Sequence, residues 1–163
     1  MPFTSDLKFG QRFEELASDI LKELWGATKC VFMQGKFLPY DFTLIMPDDS
    51  ERRVEVKADR LAHRTGNICI EHACSGHPSG ITSSKSDYWV HFVTKKKLPV
   101  SMFVIPTTEL RKIICEGNFR DVRGGDGYRA QLYLIPIHVL KKFETRMVGE
   151  LEREMAGLTL GTG

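Results

Sequence analysis

The chain contains no run of the roughly 18 apolar residues that a membrane-spanning helix needs. Its first residues also lack the basic-then-apolar layout of a secretory signal. Both absences lead to the expectation of a soluble, cytoplasmic protein. Four cysteines are present, Cys30, Cys69, Cys74 and Cys115, but no Cys-x-x-Cys pair. Without an export signal they are expected to be reduced rather than bridged. Repeats, low-complexity tracts and an internal domain boundary are missing too, so 163 residues with 42% apolar content read as one domain with one core. That domain is expected over residues 1–157, with a disordered tail at 158–163. A large excess of one charge is also lacking. At +2, net charge announces no polyanionic partner, although acidic metal ligands set beside basic phosphate contacts would nearly cancel in such a sum.

What the chain does have is a pair of strand-like segments that bring together two acids and a lysine. Phe42-Thr43-Leu44-Ile45-Met46 and Arg52-Arg53-Val54-Glu55-Val56-Lys57-Ala58 flank the turn-rich Pro47-Asp48-Asp49-Ser50, which predicts a β-hairpin. Side chains alternate along a strand, so Val54 and Val56 point into a core while Glu55 and Lys57 point away from it. Asp41 stands at the start of the first strand. Hard oxygen donors of this kind, Asp41 and Glu55 with the Val56 carbonyl, suit a divalent cation, and Lys57 would then stand beside a metal-bound water. An exposed hairpin carrying a surface Glu and Lys has the same local pattern, and a bare [Asp/Glu]-x-Lys triplet is expected about once in a chain of this size. Asp6-Leu7-Lys8 is such a triplet outside any Val-rich strand.

Pro39-Tyr40-Asp41, thirteen intervening residues and Glu55-Val56-Lys57 resemble the motif of the PD-(D/E)XK nuclease superfamily, with Tyr40 as one extra residue between Pro and Asp. A helix over Asp6–Trp25 carries a further acid. Its stripe is Phe13, Leu16, Ala17, Ile20, Leu21 and Leu24. At about 100° per residue Glu15 falls opposite that stripe with Ser18, Asp19 and Lys22, whereas Glu14 falls at its margin. Gly10-Gln11-Arg12-Phe13-Glu14 resembles the Gly-x-x-x-Glu of the first helix in archaeal Holliday-junction resolvases, where this Glu belongs to the active site. A solvated Glu at a helix margin is the alternative.

The segment Asn67-Ile68-Cys69-Ile70-Glu71, then Ser79-Gly80-Ile81, then Ser86-Asp87-Tyr88-Trp89-Val90, resembles small phage-type members of the same superfamily. That resemblance implies that Glu71 is a secondary metal or water ligand, the alternative being a salt-bridged strand residue. It also implies a short helix after the Ser-Gly turn, with Ser83, Ser84 and Lys85 as phosphate contacts. Arg60 and Arg64, from the basic group Arg52, Arg53, Lys57, Arg60, His63 and Arg64 around the site, are further DNA-contact candidates. Lys95-Lys96-Lys97 reads as a solvated hairpin tip.

Further strands are expected at Thr28–Met33, 67–73, 88–94, 101–106 and Ala130–Pro136. Helices are expected from Thr107, as cap, to Cys115, and from Val139 to about Met155. Arg120–Arg129, with Gly124-Gly125-Asp126-Gly127, reads as a mobile surface loop. Cys69, His72, Cys74 and His77 are all zinc-ligand types, but strand alternation would set Cys69 on the opposite face from His72 and Cys74.

The fold expected is α/β, a PD-(D/E)XK (restriction-endonuclease-like) core with a mixed central sheet of five or six strands flanked by helices. The resemblance implies a Mg²⁺-dependent endonuclease, with Mn²⁺ as substitute, acting on DNA, in a bacterial or phage-infected host cell. Glu14, Asp41, Glu55 and Lys57 would be its catalytic residues, and Asp41, Glu55, Val56 and Glu71 its metal site. Branched DNA and a homodimer follow from the resolvase likeness, with the stripe Val139, Leu140, Phe143, Met147 and Leu151 as candidate dimer face. The alternatives are a restriction- or repair-type nuclease, a non-catalytic DNA-binding module on the same fold, and a zinc-stabilised interaction protein.

Overall fold

The computed structural model of the chain describes residues 2–36 and 38–147, with the side chains of residues 2–4 left aside. Helix α1 (Pro2–Trp25) is followed by β1 (Lys29–Phe32), β2 (Phe42–Ile45) and β3 (Glu51–Asp59). The one-turn α2 (Ala62–Thr65) leads to β4 (Asn67–Cys74), β5 (His77–Pro78) and a 3₁₀ turn at Gly80–Thr82. Then come β6 (Tyr88–Lys95), β7 (Leu98–Pro106), α3 (Thr107–Glu116), β8 (Arg120–Gly124), β9 (Ala130–Pro136) and β10 (Glu144–Thr145).

The expected hairpin is present. β2 and β3 pair antiparallel with Phe42 opposite Val54 and Ile45 opposite Glu51. β3 then pairs parallel with β6, setting Glu55 beside Trp89 and Lys57 beside His91. The first sheet runs β1-β2-β3-β6-β7-β10 and is mixed, as expected. A second sheet, β5-β4-β9-β8, is antiparallel throughout and was not foreseen. The connection from β3 to its parallel neighbour β6 carries β4 and β5, so the crossover delivers half of the second sheet.

Alternation along the strands assigns the two cores. Val54 and Val56 of β3, with Val90 and Phe92 of β6, pack against Phe13, Ala17, Ile20 and Leu21 of α1. On the opposite face Trp89, Phe103 and Ile105 meet Ile68, Ile70 and Ile135 of the second sheet and Leu110 of α3. Both faces of the central strands are covered, which is why Trp89 and Phe92, on opposite faces of one strand, are both fully buried.

Four expectations are corrected here. Ser18, placed opposite the helical stripe, is buried, and Leu24, placed within it, is 51% exposed. Cys30 of β1 accounts for the first, because it bonds to Ser18 and so covers that side of the helix. Arg120–Arg129 is not a loop throughout: Arg120–Gly124 pairs with β9, forming an edge strand too polar to read as one. Residues 137–143 form a 3₁₀ segment followed by β10, not the start of a long helix. Leu140 of that segment is fully buried and Val139 and Phe143 pack on the core, so this part of the proposed dimer face is interior. Leu151, the rest of the expected helix and the tail lie outside the described residues. Finally, Thr107 does not act as a cap, since its hydroxyl bonds to that of Ser86 at 2.9 Å.

Candidate functional site

β3 holds the centre of the site. Glu55 and Lys57 share its face away from α1, two residues apart, and Lys57 Nζ stands 2.8 Å from Glu55 Oε1. One residue before β2, Asp41 continues the hairpin register to a place beside Glu55. Its Oδ2 accepts the Val56 N–H at 2.7 Å, and its own N–H donates to the Val54 carbonyl at 2.9 Å. Asp41 is thereby locked to β3 on both sides of Glu55. Glu14 arrives from α1, half-buried, and shares a hydrogen bond with the Asp41 carboxylate. Glu71, on β4 of the second sheet, is near enough for its charge to act on both Glu55 and Lys57.

Four acids from four elements thus surround one ammonium, and their titration reflects it. Burial lifts Glu14 to about 7, and the charges of Asp41 and Glu55 push the same way. Asp41 is raised by burial, against the Val56 N–H and Lys57. Glu55 is raised by burial and by Asp41, against Lys57. Burial alone would lower Lys57, but Glu55, Asp41 and Glu71 together hold it above the ordinary lysine value. Lys57 is therefore held as a cation by the acids around it.

Crowded carboxylates have the oxygen-donor chemistry that a hard divalent cation takes. Among the described residues, however, no three of His, Cys, Asp and Glu already form a ligand set. The Val56 N–H engages Asp41 Oδ2 and Lys57 engages Glu55 Oε1, one oxygen of each carboxylate.

The expected DNA contacts divide. Ser83 and Lys85 are exposed, whereas Ser84 is buried, its hydroxyl donating to Pro39 O at 3.3 Å and engaged with Ser86 Oγ at 2.9 Å. Arg64 is exposed on α2. Arg60 pairs with Asp6 at 2.9 Å and lies over the Phe9 ring, so it is turned toward α1. The rest of the basic group is largely committed elsewhere: Arg53 grips Asp87 through two side-chain bonds, and Arg52 stacks on Trp25. His72, from the zinc-type group, stacks on Tyr133 and contacts Asp121 at 2.9 Å.

Sequence reasoning missed three supports of the site. Asp59, at the end of β3, accepts the N–H groups of Leu61, Ala62 and Cys69 and the Nε2–H of His91. Trp89 Nε1, which can only donate, gives its hydrogen to His91 Nδ1 and so fixes that tautomer. Arg111 of α3 donates to the carbonyls of Ile81 and Ser84 and holds the segment after β5. Gly80 is the third. Its φ is +53°, and a Cβ there would stand 2.1 Å from the Glu71 carbonyl oxygen, so only glycine lets this turn press on β4 behind Glu71. Asp59 and Arg111 carry no sequence signal stronger than residue type, whereas Gly80 stood in the Ser-Gly turn already singled out, without its contact to β4.

No protein-family model matches this chain, and no curated protein matches it. Among solved structures, one similar chain is a bacterial homing endonuclease, at 18% identity and a TM-score of 0.46, covering 77% of this chain and 75% of that one. The functional reading rests on the geometry of the site itself. Among the described residues no helix is long and apolar enough to cross a membrane.

Proposed function

We propose that this chain is a metal-dependent deoxyribonuclease of the PD-(D/E)XK type, hydrolysing phosphodiester bonds in DNA. The observation that carries this reading is the meeting of Asp41, Glu55 and Lys57 on one hairpin, with Glu14 and Glu71 brought in from a helix and a second sheet. A structural ion pair needs one acid for one lysine; here four acids share it.

Asp41, Glu55 and the Val56 carbonyl are the groups that would hold Mg²⁺, or Mn²⁺ in its place, with Glu14 and Glu71 acting through water. When bound, the ion supplies an acidified water and neutralises charge on the scissile phosphate. Lys57 brings a permanent positive charge to the phosphate oxygens and supports the negative charge that grows on them during attack. The Val56 N–H keeps Asp41 oriented throughout. Cleavage leaves a 5′-phosphate, in line with the family that the motif resembles.

The likeness to resolvases and phage recombination nucleases supports branched DNA as substrate, cut by a homodimer with two active sites. End-labelled four-way junction, matched linear duplex and single strand, incubated with Mg²⁺ or Mn²⁺, separate the readings. Paired, junction-selective nicks establish the resolvase. Cutting of every substrate keeps the nuclease and leaves a restriction- or repair-type enzyme, and metal-independent binding without cutting leaves a DNA-binding module.

A further inference from the structure

Ser79 Oγ is a buried side-chain oxygen with no hydrogen-bond partner, the sole such atom found among the described residues. Buried hydroxyls are almost always paired, and an exception inside an otherwise satisfied structure asks for a group that completes it. The backbone around it leaves no slack. Ser79 N–H donates to the His72 carbonyl at 3.2 Å, and Ser79 O accepts from Thr82 N–H at 3.1 Å. Gly80 presses the turn against Glu71, and Arg111 holds the carbonyls of Ile81 and Ser84 from α3. The backbone of this turn is thus fixed while the hydroxyl it carries has no partner.

Its surroundings say what. Ser79 lines a cavity of about 390 Å³ whose wall includes Glu55 and Lys57, with Leu38 and Pro39 on one side and the exposed Ser83 on another. Lys57 is the cation of that cavity, and hydroxyl donors with an ammonium are a phosphate-binding chemistry. We infer that Ser79 is a phosphate-contacting residue: its hydroxyl, turned about χ1 into this cavity, donates to a non-bridging oxygen of a phosphodiester lying against Lys57. The rotation sacrifices no hydrogen bond, because the hydroxyl makes none. This cavity then receives the nucleic-acid backbone next to the carboxylates, and Ser79 sets its position. The inference rests on the nuclease reading and gives a phosphate-contacting role to the serine of the Ser79-Gly80 turn, beside the expected contacts Ser83, Ser84 and Lys85.

The test compares wild type with Ser79→Ala and Ser79→Thr in three measurements: thermal melting, anisotropy of a fluorescein-labelled DNA duplex in EDTA, and single-turnover cleavage of that duplex in Mg²⁺. The expected result is that Ser79→Ala melts at or above the wild-type temperature while binding or cleavage falls about tenfold, and that Ser79→Thr stays within a few-fold of wild type. A Ser79→Ala protein equal to wild type in both DNA measurements overturns the inference, as does a loss that merely tracks a lowered melting temperature. Wild type that fails to cut sinks the nuclease reading instead. The anisotropy arm then decides Ser79 alone, weaker binding by the alanine variant upholding the contact and equal binding overturning it.

Discussion

Lys57 Nζ lies 2.8 Å from Glu55 Oε1 on the same face of one strand, and the charge balance around this contact decides what the site can do. Two further acids, Asp41 and Glu71, act on the same ammonium and keep it protonated. Replacing Lys57 by Met therefore removes the cation that balances Glu55 and Asp41. Cleavage is expected to fall by about a hundredfold or more, the usual scale for losing a charge that stabilises a transition state. DNA binding at low salt should change far less, and the ratio of the two effects, from single-turnover rates and anisotropy, checks the assignment.

Glu14 carries a pH signature. Its pKa in the folded chain is about 7 against the ordinary 4.5 of a glutamate, so between those values the folded chain holds a proton that the unfolded chain has released. Stability then falls as pH rises from about 4.5 to 7. Glu14→Gln keeps the shape and removes the titration, so at pH 8 it should be more stable than wild type by about 1–2 kcal/mol, after allowance for screening at a half-buried group. At pH 4 the two should coincide. Urea melts across that range measure the difference.

Divalent cations should act on the same balance. If Asp41 and Glu55 take Mg²⁺ or Mn²⁺, millimolar metal raises the melting temperature of wild type, and the gain grows as pH rises, because burial raises both carboxyls and protons compete with the ion for them. Asp41→Asn should lose most of that gain. A metal-induced shift equal in both proteins would place the ion elsewhere.

Asp59 tests the scaffold rather than the chemistry. Burial would raise its pKa, but the His91 contact and the N–H groups of Cys69 and Leu61 outweigh it and bring it to about 2. A carboxylate lowered in this way stabilises the fold above its unfolded pKa of about 4, and that stability is lost as pH falls through about 2. Asp59→Ala leaves four donors on α2, β4 and β6 without their acceptor, and is expected to destabilise by about 3–5 kcal/mol in denaturant melts at pH 7.

How much of this was legible in the chain depended on the strength of each periodic signal. Phe13, Ala17, Ile20 and Leu21 mark α1 because a 3.6-residue stripe is hard to mistake, and Val54 and Val56 mark β3 because alternation is. At the ends of α1 the same wheel failed for Ser18 and Leu24, since what covers a helix margin is a neighbouring strand that periodicity does not contain. The second sheet was hidden for a related reason. Asn67–Cys74 and Ala130–Pro136 read as strands, yet their pairing joins positions as far apart as Asn67 and Pro136 and leaves no local trace. Arg120–Gly124 is polar because it is an edge, and polarity reads as loop. Within the site, the spacing of Asp41, Glu55 and Lys57 placed them together correctly. The Ser79-Gly80 turn was legible as a turn, but the roles of Ser79, Gly80 and Arg111 were not, because a missing partner, a forbidden Cβ and a carbonyl clamp exist only in three dimensions.

Gly80→Ala follows from that geometry. The added methyl group would meet the Glu71 carbonyl at 2.1 Å, with φ at +53° adding strain, so the turn must shift off β4. A loss of about 2–4 kcal/mol is expected, together with a fall in cleavage larger than in a control variant of equal melting temperature, because Glu71 and Ser79 move with the turn.

The most direct test of the central claim is nicking of supercoiled plasmid DNA by the purified chain with Mg²⁺, beside EDTA and beside Glu55→Gln. The site described here predicts conversion to nicked and linear forms by wild type with metal, and none in EDTA or with Glu55→Gln at matched folding. Plasmid left intact by wild type with Mg²⁺ and with Mn²⁺, or cut equally by Glu55→Gln, would contradict it.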